Sequence, residues 1–312
     1  MQVFESIKDL TKNKNTVITL GTFDGIHPGH QKIIARLIDR SKEKGCRNLV
    51  ITFHPHPRTI VTNNFNIKLL TTRDEKKDIL EELGVENLLT IKFTKEFASL
   101  SPEEFIYEYL INSIGVSEIV LGHDHHFGKG RGGNVDLLQK IGSKEGFSVS
   151  VAEAFYVNGE VVSSTKIRNA LNDGNIVRAN SLLGRNYSFT GTVVNGDKRG
   201  RELGYPTANI KLLSPDKLLP AIGVYAVRVL LGEEKHNGLL SIGKRPTFYD
   251  EGDLVTEAYI YDFNREIYGE KVTVEMVGRL RGEEKFDSSE ELIKQMDIDK
   301  KEGLKIFNKL NN

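Results

Sequence analysis

NTVITLGTFDGIHPGHQKII, residues 15–34, is the stretch on which the fold turns. After Asn15, Thr16 to Leu20 are all β-branched or apolar with no charge among them, as in a strand buried on both faces. Gly21, Gly25 and Gly29 then permit a tight turn, Pro28 cannot continue a strand, and Ile33, Ile34, Leu37 and Ile38 recur at helical spacing. Strand, turn and helix in this order place the free N–H groups and positive dipole end of the helix at the carboxyl end of the strand. That position favours a phosphate. His27 and His30 project from the same turn and are candidate donors to phosphate oxygens.

Working outward, NLVITF (48–53), NLLTIKF (87–93), EIVLG (118–122) and FSVSV (147–151) read as further strands with helices between them. Thr72 with Glu75 and Ser101 with Glu104 form capping boxes that start two of those helices. The βαβα alternation predicts a Rossmann-like α/β domain with a parallel sheet over residues 1–184. After Gly184 the texture changes to YSFTGTVV (187–194), GVYAVRVL (223–230), NGLLSIG (237–243), VTEAYIYD (255–262) and KVTVEMV (271–277). Strands at such short intervals predict a small antiparallel β-barrel over residues 185–312, since closure removes exposed edges. A terminal helix is expected, with Ser288 and Glu291 as its capping box, Leu292, Ile293, Met296, Leu304 and Phe307 as its buried stripe, and Gly303 as an interruption.

The 312 residues suit two domains, and 38% hydrophobic residues with 29 glycines exclude disorder as the main state. No run approaches the roughly 18 apolar residues of a membrane span, and MQVFESIKDLTKNKN lacks the apolar core of a secretory leader. The single Cys46 excludes an intramolecular disulfide and a multi-cysteine zinc site, so a cytoplasmic setting is expected. Lys and Arg total 43 against 43 for Asp and Glu, without the basic excess of a nucleic-acid binder. Small anionic ligands held by local groups stay open as partners, nucleic acid and membrane are not expected, and self-association is possible but not readable from the pattern.

Two motifs carry chemistry beyond the first turn. In VVSSTKIRNAL (161–171), Ser163, Ser164, Thr165, Lys166 and Arg168 bring hydroxyls and two cations to a helix start. In GTVVNGDKRGRELGYPTANI (191–210), Gly191, Gly196, Gly200 and Gly204 allow backbone to approach a polyphosphate, with Lys198, Arg199 and Arg201 adding charge. Thr207 and Asn209 lie two apart in an extended segment, share one face, and offer neutral oxygens suited to Mg²⁺. Glu257 is a strand carboxylate and a candidate base for a hydroxyl nucleophile. FHPHPR (53–58) and LGHDHHFGKGRGG (121–133) follow strands at the ligand edge of the sheet. Zinc on His54, His56, His123, His125 and His126 is disfavoured without cysteines, and the glycines near Lys129 do not space as a Walker A loop.

GTFDGIHPGH with SSTKIR resembles the nucleotidylyltransferase superfamily. These two motifs together with GRELGYPTAN, GVYAV, the Glu257 segment and LRGEEKF (280–286), in this order, resemble the bacterial bifunctional riboflavin kinase/FAD synthetase family from about Thr16 into the terminal helix. The resemblance implies adenylylation of FMN to FAD by the first domain and ATP-dependent phosphorylation of riboflavin to FMN by the second. It implies His27, His30 and Arg168 as catalytic groups of the first site and Glu257 of the second. Gly21, Phe23, Asp24, Gly29, Asp124, Ser164, Thr165, Lys166, Gly196, Lys198, Arg201, Gly204, Pro206 and Arg281 are the implied nucleotide- or flavin-binding positions, and Thr207 and Asn209 the Mg²⁺ ligands. One departure is His125 after Asp124, where the family commonly carries an aromatic. Two other classes share part of the pattern. A class I tRNA synthetase core also pairs such motifs but needs an anticodon-type helical domain, and a flavin-binding regulator would not need SSTKIR and Glu257 intact.

Overall fold

A computed structural model describes residues 1–62, 67–122, 125–196, 200, 204–244 and 254–310. The chain forms two compact units, Met1–Ser164 and Thr165–Asn312.

In the first unit six parallel strands run β1 (Gln2–Phe4), β2 (Thr16–Leu20), β3 (Arg47–His54), β4 (Asn87–Lys92), β5 (Val116–Gly122) and β6 (Ser148–Ala152). Their order in the sheet is β1-β4-β3-β2-β5-β6. From β2 onward this is the doubly wound arrangement, with its topological switch between β2 and β5. Alternate residues point to opposite faces. Val17, Val50, Leu88 and Val120 meet Ile34 and Leu37 of α1 (Pro28–Lys44) on one side, while Ile18, Leu49, Ile51, Leu89 and Ile119 pack on the other with Phe105, Ile106 and Leu110.

The helices between strands include α2 (Pro57–Val61), α3 (Arg73–Glu82), α4 (Lys95–Ala98), α5 (Pro102–Glu104) and α6 (Val135–Glu145). The capping boxes at Thr72 and Ser101 are both formed, and α5 continues as a π-helical segment, Phe105–Ile114. One charge is wholly buried in the sheet. Glu118 of β5 accepts from Arg40 Nε at 2.8 Å, Lys44 Nζ at 2.6 Å and Ser150 Oγ at 2.5 Å. Burial alone would raise its pKa, but these donors outweigh it and hold the carboxyl down to about 2.

Two strands pair outside the main sheet, β7 (Tyr156–Val157) and β8 (Glu160–Val161). Asn158 and Gly159 between them both have positive φ, 49° and 79°, as an Asn-Gly hairpin turn requires.

The second unit is a closed antiparallel barrel of β9 (Ser188–Val194), β10 (Ala208–Leu212), β11 (Gly223–Leu231), β12 (Glu234–Lys244), β13 (Leu254–Ile260) and β14 (Lys271–Arg281), ordered β10-β13-β12-β11-β14-β9. Five of these match the runs read from sequence. The sixth, β10, contains the end of the PTAN segment and closes the barrel by pairing with β9.

Helices α7 (Ser164–Asn172) and α8 (Ile176–Leu183) pack with the barrel. Ala221 N donates to Leu171 O at 3.0 Å, and Asn180 Nδ2 donates to Met276 O at 2.9 Å. The compact units thus divide at 164/165, ahead of the change in sequence texture at Gly184.

Helix α9 (Ser289–Leu310) ends the chain, and Gly303 does not interrupt it. The buried residues are Asp299, Gly303 and Phe307, spaced by four, so the helix presents this line to the barrel. A Cβ at position 303 would overlap the Tyr261 hydroxyl and Leu239, which makes glycine a close-approach residue here. The expected stripe is rotated accordingly: Leu304 is 40% exposed. Half of the terminal capping box forms, Glu291 N donating to Ser288 Oγ at 3.2 Å, while the Glu291 carboxylate accepts from Asp287 N instead of the cap residue.

Candidate functional sites at the sheet edge and in the barrel

The turn after β2 sits at the switch point of the sheet. It is conformationally expensive: Phe23 and Ile26 have φ of 45° and 40° around Gly25 at 88°. A non-glycine residue so placed costs on the order of 1–3 kcal/mol and persists only where its surroundings hold it. The surroundings do so with hydrogen bonds. Asp24, 2% exposed, accepts from Leu70 N and Thr71 N, both at 3.0 Å, and Thr71 Oγ1 accepts from Gly25 N at 3.0 Å. Ser164 Oγ donates to the Asp24 carbonyl at 2.9 Å.

His27 caps α1, its Nδ1 accepting from His30 N at 3.3 Å, with Pro28 at the start of the helix. The two imidazoles stack with centroids 3.7 Å apart, and the Phe23 ring meets His30 edge-on at 5.3 Å. The His30 pKa lies well below its usual value, first because the ring is buried, then because His27 and Lys76 add positive potential. Its Nδ1 is buried without a hydrogen-bond partner. A neutral ring with one unsatisfied nitrogen at a helix start is equipped to meet a phosphate oxygen or leaving group that is not part of the chain.

Gly21 and Gly29 leave room for these rings: a Cβ at either would lie 3.3 Å from the Phe23 ring or 3.2 Å from the His27 ring. Thr165 is exposed, Lys166 and Arg168 are partly buried in α7. His123 and Asp124 lie outside the described residues.

Beside the turn, a small cleft opens at the carboxyl ends of β2 and β3, lined among others by Thr22, Thr52, His54, His56, Arg73 and Lys76. Lys76 escaped the sequence reading. It lies one helical turn before the fully buried Leu80, so a charged residue on the apolar stripe of α3 was the available signal. Burial lowers its pKa to about 8, with Asp24 acting in the opposite sense.

In the barrel, register brings the expected residues together. Asn209 of β10 is paired with Glu257 of β13, and Thr207 Oγ1 donates to Glu257 Oε2 at 3.3 Å. A Cβ at Gly196 would overlap the Asn209 amide, so the absence of a side chain there is what admits Asn209. Among the described residues no three His, Cys, Asp or Glu side chains cluster as a metal site. The donors at β10 and β13 are instead a hydroxyl, an amide and one carboxylate, an oxygen set that fits Mg²⁺ held jointly with nucleotide phosphates.

Gly204 has φ of 80°, Pro206 is exposed, and the buried Tyr205 hydroxyl bonds to Asp297 of α9. Lys198 and Arg201 lie outside the described residues. Arg281 is engaged by α9: its Nε and Nη2 reach the Asp299 carboxylate at 3.0 Å and 2.8 Å. Its demonstrated partner is thus the terminal helix.

A doubly wound sheet with a phosphate-ready turn, followed by a closed barrel with oxygen donors beside a carboxylate, defines a two-domain phosphate-handling transferase. Comparison with known proteins agrees with that class. A family model for FAD synthetase matches residues 9–166 and one for riboflavin kinase matches residues 183–307. Curated bifunctional riboflavin kinase/FMN adenylyltransferases from Listeria monocytogenes and Bacillus subtilis are each 39% identical, covering 96% and 95% of this chain and 94% and 93% of their own. The Escherichia coli relative of the same name is 34% identical over 98% of both chains.

A solved structure described as a macrolide-efflux protein from Streptococcus pneumoniae shares 34% identity and a TM-score of 0.88, over 96% of this chain and 97% of that one. Among the described residues no helix is long and apolar enough to cross a membrane. The chain belongs to the family of bifunctional riboflavin kinase/FMN adenylyltransferases, with an FAD synthetase domain first and a riboflavin kinase domain second.

Proposed function

We propose that FMN adenylylation takes place at the Gly21–His30 turn and riboflavin phosphorylation at Thr207, Asn209 and Glu257. The first reaction is assigned to residues 1–184 and the second to 185–312. The unmatched residues between the two family models, 167–182, cover most of α7 and α8 and the turn between them.

In the kinase reaction Glu257 accepts the proton of the riboflavin 5′-hydroxyl as its oxygen attacks the γ-phosphorus of ATP, the bond to the β,γ-bridging oxygen breaks, and ADP leaves. Thr207 and Asn209 would hold Mg²⁺, which when bound neutralises the phosphate charge. Gly196 and Gly204 let backbone approach the same phosphates, with Lys198, Arg201, Pro206 and Arg281 as further proposed contacts. Phosphoryl transfer demands positioning and charge stabilisation more than covalent chemistry. In the adenylyl transfer the FMN phosphate, already ionised, attacks the α-phosphorus of ATP and pyrophosphate leaves. His27, His30, Lys166 and Arg168 stabilise the developing charge, and Gly21, Phe23, Asp24, Gly29, Asp124, Ser164 and Thr165 shape the nucleotide pocket. A cytoplasmic setting accords with the unpaired Cys46.

The pairing of Asn209 with Glu257 and the Thr207–Glu257 hydrogen bond carry this reading, because three residues chosen for their chemistry converge through strand register. Purified protein given ATP, Mg²⁺ and riboflavin should yield both FMN and FAD by chromatography. Absence of FMN would overturn the kinase assignment, and absence of FAD when FMN is supplied would overturn the other.

A further inference from the structure

Lys76 is a half-buried cation that the reactions above do not use. It projects from the first turn of α3 into the cleft at the ends of β2 and β3. Its ammonium donates to the Thr22 carbonyl at 2.6 Å and to Thr52 Oγ1 at 3.2 Å, and Thr52 Oγ1 in turn donates to the same carbonyl at 3.2 Å. Three groups from the turn, β3 and α3 thus close a ring on one backbone oxygen. That oxygen belongs to the residue immediately before Phe23, where the backbone enters its left-handed conformation.

We propose that Lys76 is a positioning residue for adenylyl transfer, its ammonium clamping the Thr22 carbonyl and Thr52 so that the turn presents His27 and His30 to the substrate phosphates. The inference rests on the assignment of adenylylation to this turn. Asp24 secures the turn on its other side through Leu70 and Thr71, so the two anchors are separate and only the Lys76 anchor depends on a cationic side chain. The clamp is charge-assisted, and charge-assisted bonds are the stronger and shorter class.

Protonation of Lys76 therefore matters. The titratable or charged groups around it are Asp24 on the turn, His30 on α1, His54 at the end of β3, His56 after it, and Arg73 on its own helix. From β4 the cleft is lined by Leu88 and Thr90. Asp24 favours the ammonium and burial opposes it, burial having the larger effect.

The test measures FAD formation from supplied FMN and ATP against pH, with riboflavin phosphorylation by the same preparation as the folding control. Wild-type FAD formation should fall above a pH near 8, while FMN formation should not share that limb. Lys76→Met should reduce kcat for FAD formation by about 10- to 100-fold, the usual scale for losing alignment, with a smaller effect on KM for ATP. Lys76→Arg, which stays protonated, should recover much of that loss and move the alkaline limb upward. A wild-type profile flat to pH 9.5, or an unchanged limb in Lys76→Arg, would overturn the proposal even if Lys76→Met failed to fold. Loss of FAD formation in His30→Ala alongside full activity in Lys76→Met would reject the clamp and leave the site assignment standing. Full activity in both variants would reject the site itself.

Discussion

At the sheet edge, the side chains proposed for adenylylation sit on a single turn whose unfavourable backbone is held by hydrogen bonds from Leu70, Thr71, Ser164 and Lys76. In the barrel, Asn209 and Glu257 belong to strands distant in sequence, and ordinary ladder register sets them opposite one another. The first site stores conformational energy and needs local clamps; the second is unstrained at its donors and needs closure of a sheet. The two should therefore fail differently. Substitutions far from the histidines but touching the clamps should weaken adenylylation, whereas the kinase site should respond to the donors themselves and to whatever keeps the barrel shut.

The largest expected effect lies in the barrel. Glu257→Gln preserves size but cannot accept a proton, so FMN formation should fall by roughly 10²- to 10⁴-fold, while FAD formation from supplied FMN continues at the unmodified rate. Near-normal riboflavin phosphorylation would remove Glu257 as base and leave positioning by Thr207 and Asn209 as the main contribution.

His30→Ala is the mirror experiment. It should lower FAD formation by roughly 10²- to 10³-fold, the scale of losing one transition-state donor, with riboflavin phosphorylation retained. Equal loss of both activities, together with a changed far-UV spectrum, would point to misfolding instead.

A third, smaller effect concerns where the barrel unit begins. A fragment of residues 185–312 should still make FMN, because its donors all lie within it. A fragment starting at Thr165 should be more stable to urea by a few kcal/mol, since α7 and α8 bury Ile167, Leu171, Ile176, Leu182 and Leu183, each worth about 1.5–3 kcal/mol when fully covered. Equal urea midpoints would show that the helices add nothing to the barrel, and an inactive but folded 185–312 fragment would contradict an independent kinase site.

Glu118 supplies the smallest effect and the only one confined to acid. Its pKa is depressed in the folded chain, so its contribution to stability is present above the ordinary carboxylate range and is lost as pH falls toward about 2. Glu118→Gln should accordingly be less stable than the unmodified protein at neutral pH, with the difference shrinking on acidification. A difference that grows as pH falls would contradict the Arg40–Lys44–Glu118 network as its source.

Long apolar strands and capped helices were legible because burial on both faces and local capping leave their marks within a few residues. The histidine turn was equally legible, since glycines and Pro28 announce it. Other parts were hidden for physical reasons. β1 has three residues, and β10 mixes Asn209 and Lys211 with apolar residues and fully buries only Ile210, so neither shows an apolar run. The β7–β8 strands are two residues each, although Asn158-Gly159 was a readable turn signal. Gly303 looked like a helix breaker, whereas contact with Tyr261 and Leu239 gives it a packing role that no local pattern records. Arg281 and Asp24 carried family signatures, but their hydrogen bonds to Asp299 and to the Leu70–Thr71 backbone depend on residues brought in by the fold. Lys76 lay on a stripe that periodicity assigns to the core, and its two oxygen partners come from other elements.

Closure of the barrel by β10 has one more consequence. The strand that carries Asn209 is also the strand that joins β9 to β13, so the last ladder to complete the cylinder assembles the donors facing Glu257. A chain in which that seam is open would lack both the closed barrel and the Asn209–Glu257 pairing. If the proposed donors carry the kinase reaction, riboflavin phosphorylation in this unit reports on the integrity of the whole sheet.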